Sequence, residues 1–290
     1  MASPALIEQL STSRFIADIA QPSVGVGERR SKAKGAGLEF ADHRPYNAGD
    51  DVRHLDARLQ ARLGENYIRQ YSVDRQLPIT VLVDSSLSMR YGTPDKFDFA
   101  KGLARALGFV GLAGGDRVQL ATFGDGRIAW SQRVQGANRA EILFGWLDEQ
   151  SPHGKSSIVS ALRDIRPDLR PGGLVAVISD FWVEDFSREL GALRADRQEI
   201  LAFHVEAPQE ADPGRLGSGP HYMVDAETGE EIEIQLSGST MERYRQAYAE
   251  HVERLRAAFS TNHVRYFPVS SGEPLDMLML RRLRASGVIS

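Results

Sequence analysis

The sequence predicts a doubly wound α/β fold with a mainly parallel sheet, preceded by an extended N-terminal segment. Three observations carry this expectation. Ile79-Thr80-Val81-Leu82-Val83 and Gly173 to Ser179 (GLVAVIS) are short apolar runs rich in β-branched residues. Runs of this length and type read as strands buried on both faces of a parallel sheet. Both runs end in aspartate, at Asp84 and Asp180. From Leu77 onward, strand-like segments alternate with segments of helical spacing, as in a parallel sheet covered by helices on both faces.

The bulk properties narrow the function classes. A chain of 290 residues suits one large α/β domain or a domain with an extension. With 42% hydrophobic and 26% charged residues it has the makeup of a folded protein. The formal net charge of -4 gives no global basic footprint for nucleic acid. Arg29-Arg30-Ser31-Lys32-Ala33-Lys34 is a local basic run and reads as a solvated loop. There is no cysteine, which excludes disulfides, thiol catalysis and thiolate zinc sites. The seven histidines are scattered, with no close metal-ligand pair, which argues against a zinc enzyme. No apolar run approaches the roughly 18–20 residues of a membrane span. No basic stretch followed by an apolar core marks a signal peptide. A cytoplasmic protein without membrane insertion is expected.

Two regions are expected: an N-terminal segment over residues 1–75 and the α/β domain over 76–290. Residues 4–20 form a weakly amphipathic helix candidate, with Leu6, Ile7, Leu10, Phe15, Ile16 and Ile19 available for docking. Residues 21–37 are rich in Gly, Pro and Ser and read as a linker. Residues 37–71 are dense in charge and poor in helical periodicity. They predict extended strands and tight turns with Arg–carboxylate pairs, serving either as a salt-bridged layer or as a binding face. Beyond them the pattern predicts strand 77–83 and helix 95–113, with Asp95 as N-cap and Gly114-Gly115 as stop. Strand 117–123 and a short returning strand at 126–131 follow, then helices 137–149 and 156–166. Strand 173–179, helix 184–196, strand 199–205, a hairpin around Asp225–Gly229, helix 239–259, strand 263–267 and helix 274–285 complete the chain.

In open α/β sheets ligands bind outside the carboxyl ends of the strands. Asp84-x-Ser86-x-Ser88 lies at such an end. It offers one carboxylate and two hydroxyls from a single turn, hard oxygen ligands suited to Mg²⁺ or Mn²⁺. Gly154-Lys155-Ser156-Ser157, at a helix start, and Asp180 can meet it at the same edge. Taken singly, the serines read as turn or helix caps and Asp180 as a strand end. Taken together at the ends of two buried strands, they point to a metal. The metal ligands expected are Asp84, Ser86, Ser88, Ser156 and Asp180, with Ser157 an alternative to Ser156.

Asp84-x-Ser86-x-Ser88, Gly154-Lys155-Ser156-Ser157-Ile158 and Ile178-Ser179-Asp180 resemble the metal-ion-dependent adhesion site of von Willebrand factor type A domains, a Rossmann-like fold. The stretch Gly37-Leu38-Glu39-Phe40 through Tyr46, Gly49-Asp50-Asp51-Val52-Arg53 and Leu55-Asp56 resembles the signature of domain-of-unknown-function family 58, bacterial proteins that carry such a domain. The resemblance covers about residues 35–285. It implies direct coordination by Ser86 and Ser88, with Ser156 binding directly or through water. Asp84 and Asp180 would act mainly through waters, and an acidic residue of a protein partner would take the sixth position. It also implies a non-enzymatic adaptor or co-chaperone of a MoxR-type AAA+ ATPase, or of its client, in protein complex maturation. Two departures stand out: serine replaces the usual threonine at 156, and Ala57 stands where the family often has tryptophan.

The same residues bear on other readings. The Asp84 loop superficially resembles the nucleophile loop of haloacid dehalogenase-type phosphatases. A metal-dependent hydrolase of that kind needs a second aspartate as general acid, and Ser86 occupies that position. Gly154-Lys155-Ser156 imitates the tail of a P-loop, but Glu149 stands where the motif needs glycine. No G-x-S-x-G elbow is present. A phosphopeptide-binding module using the arginines at 44, 53, 58 and 62 is the remaining alternative.

Overall fold

The computed structural model describes residues 4–16, 34–35, 39–47, 50, 52, 55–72, 76–182 and 185–290. The chain divides into two units, residues 17–76 and residues 1–16 together with 77–290. The basic run 29–34 falls outside the described residues except for Lys34, as do residues 17–20 of the first helix candidate.

The smaller unit holds strands β1 (Lys34–Gly35), β2 (Glu39–Pro45) and β3 (Tyr67–Ser72) and helix α2 (Ala57–Leu63). The strands form an antiparallel sheet in the order β1-β3-β2. Extended structure agrees with the expectation for this stretch, but α2 does not. Its side chains contribute nothing to a core, so no apolar periodicity marks it. What sets it are its ends. Asp56 caps it by accepting from the N–H groups of Arg58 and Leu59, and Gly64 closes it at φ 74°, a left-handed conformation that favours glycine.

The larger unit begins with α1 (Pro4–Leu10). The helix predicted over 4–20 is therefore a short one. Ser11-Thr12-Ser13 follows, and short hydroxyl side chains compete with the helical backbone. Leu6, Leu10 and Phe15 are buried as expected, whereas Ile16 is exposed. Phe15 bridges to Ile289, tying the two ends of the unit.

The main sheet is built from β4 (Pro78–Asp84), β5 (Arg117–Gly124), β6 (Arg127–Trp130), β7 (Val134–Gln135), β8 (Leu174–Ser179), β9 (Glu199–Glu206) and, last in the chain, β12 (Arg265–Ser270). Its order is β12-β9-β8-β4-β5-β6, with β7 also paired to β5. The pairs β12–β9, β9–β8, β8–β4 and β4–β5 are parallel, and β6 and β7 run antiparallel on the β5 edge. This is the mainly parallel, doubly wound sheet predicted from the sequence. The chain leaves β4 toward β5 and later resumes at β8 on the other side. The β4–β8 crevice is therefore the switch point, where such folds bind ligands.

Helices α3 (Lys96–Ala113) and α4 (Ala140–Asp148) pack on one face of the sheet. Helices α5 (Ile158–Asp164), α6 (Ser187–Ala195) and α8 (Gly238–Thr261) cover the other. Along β4, Leu82 joins Phe123, Leu162, Val177 and Phe259 in the second face's core, while Ile79 points to α3. The close seating of α3 depends on Gly111, where a Cβ would fall 2.7 Å from Ile79 Cδ1 and Val118 Cγ2. Short α7 (Pro208–Ala211) follows β9. Then β10 (Gly219–Val224) and β11 (Glu231–Leu236) form an antiparallel hairpin outside the main sheet. The last helical segment is α9 (Leu275–Met277), continued by wider π-type turns at Leu278–Leu283.

Arg–carboxylate pairing, expected in the N-terminal segment, is present at Arg44. Its fork spans both oxygens of Asp50 at 2.5 and 2.6 Å, and Asn47 N–H donates to the same carboxylate at 2.8 Å. The Arg44 bond and then the Asn47 N–H hold the Asp50 carboxyl down at about 2. A depressed folded-state value means that this pairing stabilises above the ordinary carboxylate value and is lost as pH falls through about 2. In a carboxyl-carbon NMR titration Asp50 is expected to titrate near 2 in the native chain. In Arg44→Gln it should return toward the ordinary range.

Candidate metal centre

Asp84 ends β4 at the switch point and is fully buried. Its Oδ1 accepts from the Ser86 N–H at 2.9 Å. Its Oδ2 accepts from Ser156 Oγ at 2.9 Å and from Ser179 Oγ at 2.7 Å. Ser86 Oγ and Ser88 Oγ lie 2.9 Å apart in the turn that follows. Three of the sequence-predicted hydroxyls and one predicted carboxylate thus gather at one point. Ser157, the alternative to Ser156, turns instead to Ser160.

Backbone bonds hold these segments in register. Ser85 N–H donates to Phe123 O, and His153 N–H to Ser85 O at 2.6 Å. Leu87 N–H donates to Gly154 O, and Asp125 N–H to Lys155 O. Gly154 sits at φ 63°, and a Cβ there would lie 2.4 Å from Asp125 Cβ. The loop carrying Ser156 is laced in this way to the turns after β4 and β5.

Asp180 takes a different partner. Its Oδ2 accepts from Lys96 Nζ at 2.9 Å, and the same ammonium donates to Glu210 Oε1 at 2.6 Å. Lys96 is buried, with its side chain 1% exposed. Burial works against its charge, yet Asp180 and Glu210 hold its pKa above the ordinary lysine value. Glu210 Oε2 accepts from the Ala207 N–H at 2.7 Å. Phe181, at φ 50°, turns the chain away immediately after Asp180, and its N–H donates to Ser179 Oγ. A positive φ in a bulky residue is costly and persists only where its surroundings enforce it. Here Phe181 is buried against Phe186 and Phe259.

Sequence reasoning missed Lys96, Ser179, Glu210 and Glu227, whose Oε1 accepts from the Ser156 N–H at 2.9 Å. Lys96 did leave a signal. It is the first residue of α3, directly after the Asp95 cap, where the helix dipole disfavours a cation. Glu210 and Glu227 lie 114 and 71 residues from the groups they touch, and no local pattern reports such contacts. Among the alternative arginines, Arg44 is occupied by Asp50, Arg53 lies outside the described residues, and Arg58 and Arg62 lie on exposed α2.

The residues present fit a hard divalent cation. An octahedral ion with bonds of about 2.0–2.1 Å places neighbouring ligands roughly 2.8–3.0 Å apart, the separation of Ser86 Oγ and Ser88 Oγ. The charge also fits, because the ammonium of Lys96 pairs with Asp180 and Glu210, while the bonds to Asp84 come from hydroxyls and an N–H group. Burial, and then the nearby Asp180, push the Asp84 carboxyl up to about 6 against the pull of bonds from Ser86 and Ser179. Among the described residues no three His, Asp or Glu side chains form a metal-binding group. An ion here would rest on hydroxyls and water as much as on carboxylates.

Fold and site together define a doubly wound α/β domain with an oxygen-lined crevice at its switch point. The chain belongs to the DUF58 family, whose model (Protein of unknown function DUF58) matches residues 42–258. The uncharacterized protein Rv1480 of Mycobacterium tuberculosis is 28% identical over 231 residues, spanning 78% of this chain and 72% of its own. Among solved structures, the conserved hypothetical protein BatB from Bacteroides thetaiotaomicron is similar at 16% identity. It covers 73% of this chain and 98% of its own, with a TM-score of 0.48. The SpRpn10 VWA domain is similar at 12% identity, covering 69% of this chain and 92% of its own, with a TM-score of 0.41. No helix among the described residues is long and apolar enough to cross a membrane.

Breaking a buried ion pair leaves its partner's charge uncompensated, at a cost of about 3–5 kcal/mol. Lys96→Met is therefore expected to lower the unfolding free energy by about that amount in urea titrations. A loss well under 1 kcal/mol would show that Asp180 and Glu210 do not depend on the ammonium.

Proposed function

We propose that the chain is a non-enzymatic protein-binding module that captures an acidic residue of a partner through Mg²⁺ or Mn²⁺. Ser86 and Ser88 would hold the ion directly and Ser156 directly or through water, with Asp84 and Asp180 acting mainly through water. The observation that carries this reading is the Ser86–Ser88 hydroxyl pair beside a buried Asp84 whose carboxyl is poorly compensated. Neutral hydroxyl ligands leave most of the ion's charge uncancelled, so it attracts an incoming carboxylate. The partner that the family resemblance implies is a MoxR-type AAA+ ATPase or its client, met in the cytoplasm during complex maturation.

The geometry speaks against the hydrolase alternative. Asp84 is fully buried, and both of its oxygens accept hydrogen bonds from the protein. A nucleophilic carboxylate needs an open line of attack, and a phosphatase of this type needs an acid where Ser86 stands.

Calorimetry with Mg²⁺ and Mn²⁺ on the native chain and on Ser86→Ala/Ser88→Ala, with and without a short acidic peptide, tests the proposal. Saturable binding is expected in the native chain, tightened by the peptide and abolished by the double substitution. Absence of binding by the native chain under either condition would overturn it.

A further inference from the structure

The β10–β11 hairpin stands apart from the main sheet, yet its tip reaches the candidate metal centre. Most of the ribbon faces solvent, with Tyr222 at 75% and Ile232 at 61% exposure, and Leu236 at its base is buried. A two-stranded ribbon of this kind is marginally stable by itself. Its tip is nonetheless well defined. Asp225 Oδ1 accepts from the N–H groups of Glu227 and Thr228, both at 2.8 Å, and Asp225 N–H donates to Glu230 O. This turn carries the Glu227 carboxylate to the Ser156 N–H at 2.9 Å. The hydroxyl of the same Ser156 is bound to Asp84. The N and Oγ atoms of one serine lie about 3 Å apart by covalent geometry, so Glu227 Oε1 lies within about 6 Å of the hydroxyl that Asp84 holds.

We propose that Glu227 is a built-in acidic occupant of the centre, taking in cis the position that a partner's carboxylate takes in trans. The inference rests on the metal-mediated reading above and adds a gate to it. With the hairpin down, Glu227 completes the ion's surroundings and no partner acid can enter. A partner must lift the tip, and the exposed ribbon permits this at the cost of few buried contacts. A binding-competent state that is only fractionally populated weakens the apparent affinity for the partner by that fraction.

The test compares the intact native chain with Glu227→Gln, and with Glu230→Gln as a control on the same turn. Mn²⁺ alone and Mn²⁺ with a short acidic peptide are the probes. Calorimetry and the water-proton relaxation enhancement of the bound ion are the readouts. Glu227→Gln is expected to bind Mn²⁺ several-fold more weakly and to show a larger relaxation enhancement, as water replaces the carboxylate. Its Mn²⁺-dependent affinity for the peptide should rise about tenfold if the tip is down about nine-tenths of the time. Glu230→Gln should match the native chain. Identical Mn²⁺ affinity, relaxation and peptide affinity in the native chain and Glu227→Gln would overturn the gate and leave the metal-mediated reading standing. Equal changes in both variants would reduce the effect to general charge and also overturn it. Failure of every form to bind Mn²⁺ would overturn the metal-mediated reading, and this inference with it.

Discussion

Charge compensation at the β4–β8 switch point is the constraint on which the rest of this structure depends. The sheet order forces the chain to leave β4 on one side and return at β8 on the other, so two strand ends with aspartates open onto one crevice. Buried carboxylates cannot sit close together without a cation or a proton. The first residue of α3 supplies a cation, Lys96, and helix α7 after β9 supplies Glu210 as its second partner. Three elements distant in sequence are held in relation by one ammonium. The same arithmetic leaves Asp84 short of positive charge, which makes a bound cation chemically reasonable there.

The division of labour between the two aspartates follows from their neighbours. Asp180 is anchored by an ion pair and by the turn enforced at Phe181. Asp84 is surrounded by hydroxyls, which can rotate to give a proton to a carboxylate or a lone pair to an ion. The Ser156 loop is fastened to its neighbours by backbone bonds, and the rotamer of Ser156 is held by the bond from its hydroxyl to Asp84 Oδ2. This bears on the absence at 156 of the threonine methyl, a group that stiffens the side chain.

Much of the fold was legible because its signals are local. The runs ending in Asp84 and Asp180 announce buried strands, and the Asp95 cap with the Gly114-Gly115 stop brackets α3 almost to the residue. Helix α2 was not legible, because it buries no side chain and only its caps betray it. Helix α1 is shorter than its apolar pattern suggests because Phe15, beyond Leu10, docks without continuing the helix. At the site, the serines and aspartates were readable as a motif after a strand. Lys96 was visible only as a lysine where a helix start disfavours one. Glu210 and Glu227 arrive through long-range chain paths that no spacing records.

The flanks of the main sheet carry a consequence for how this domain meets other molecules. On one side, β5 is covered by two short strands, β6 and β7, instead of one long one. On the other, the outermost strand β12 contains Pro268, which lacks an N–H, and Arg282 donates to the Pro268 carbonyl. Neither border offers an unbroken row of donors and acceptors on which a foreign strand could template itself. Short strands on one side and the proline on the other blunt both edges against strand addition.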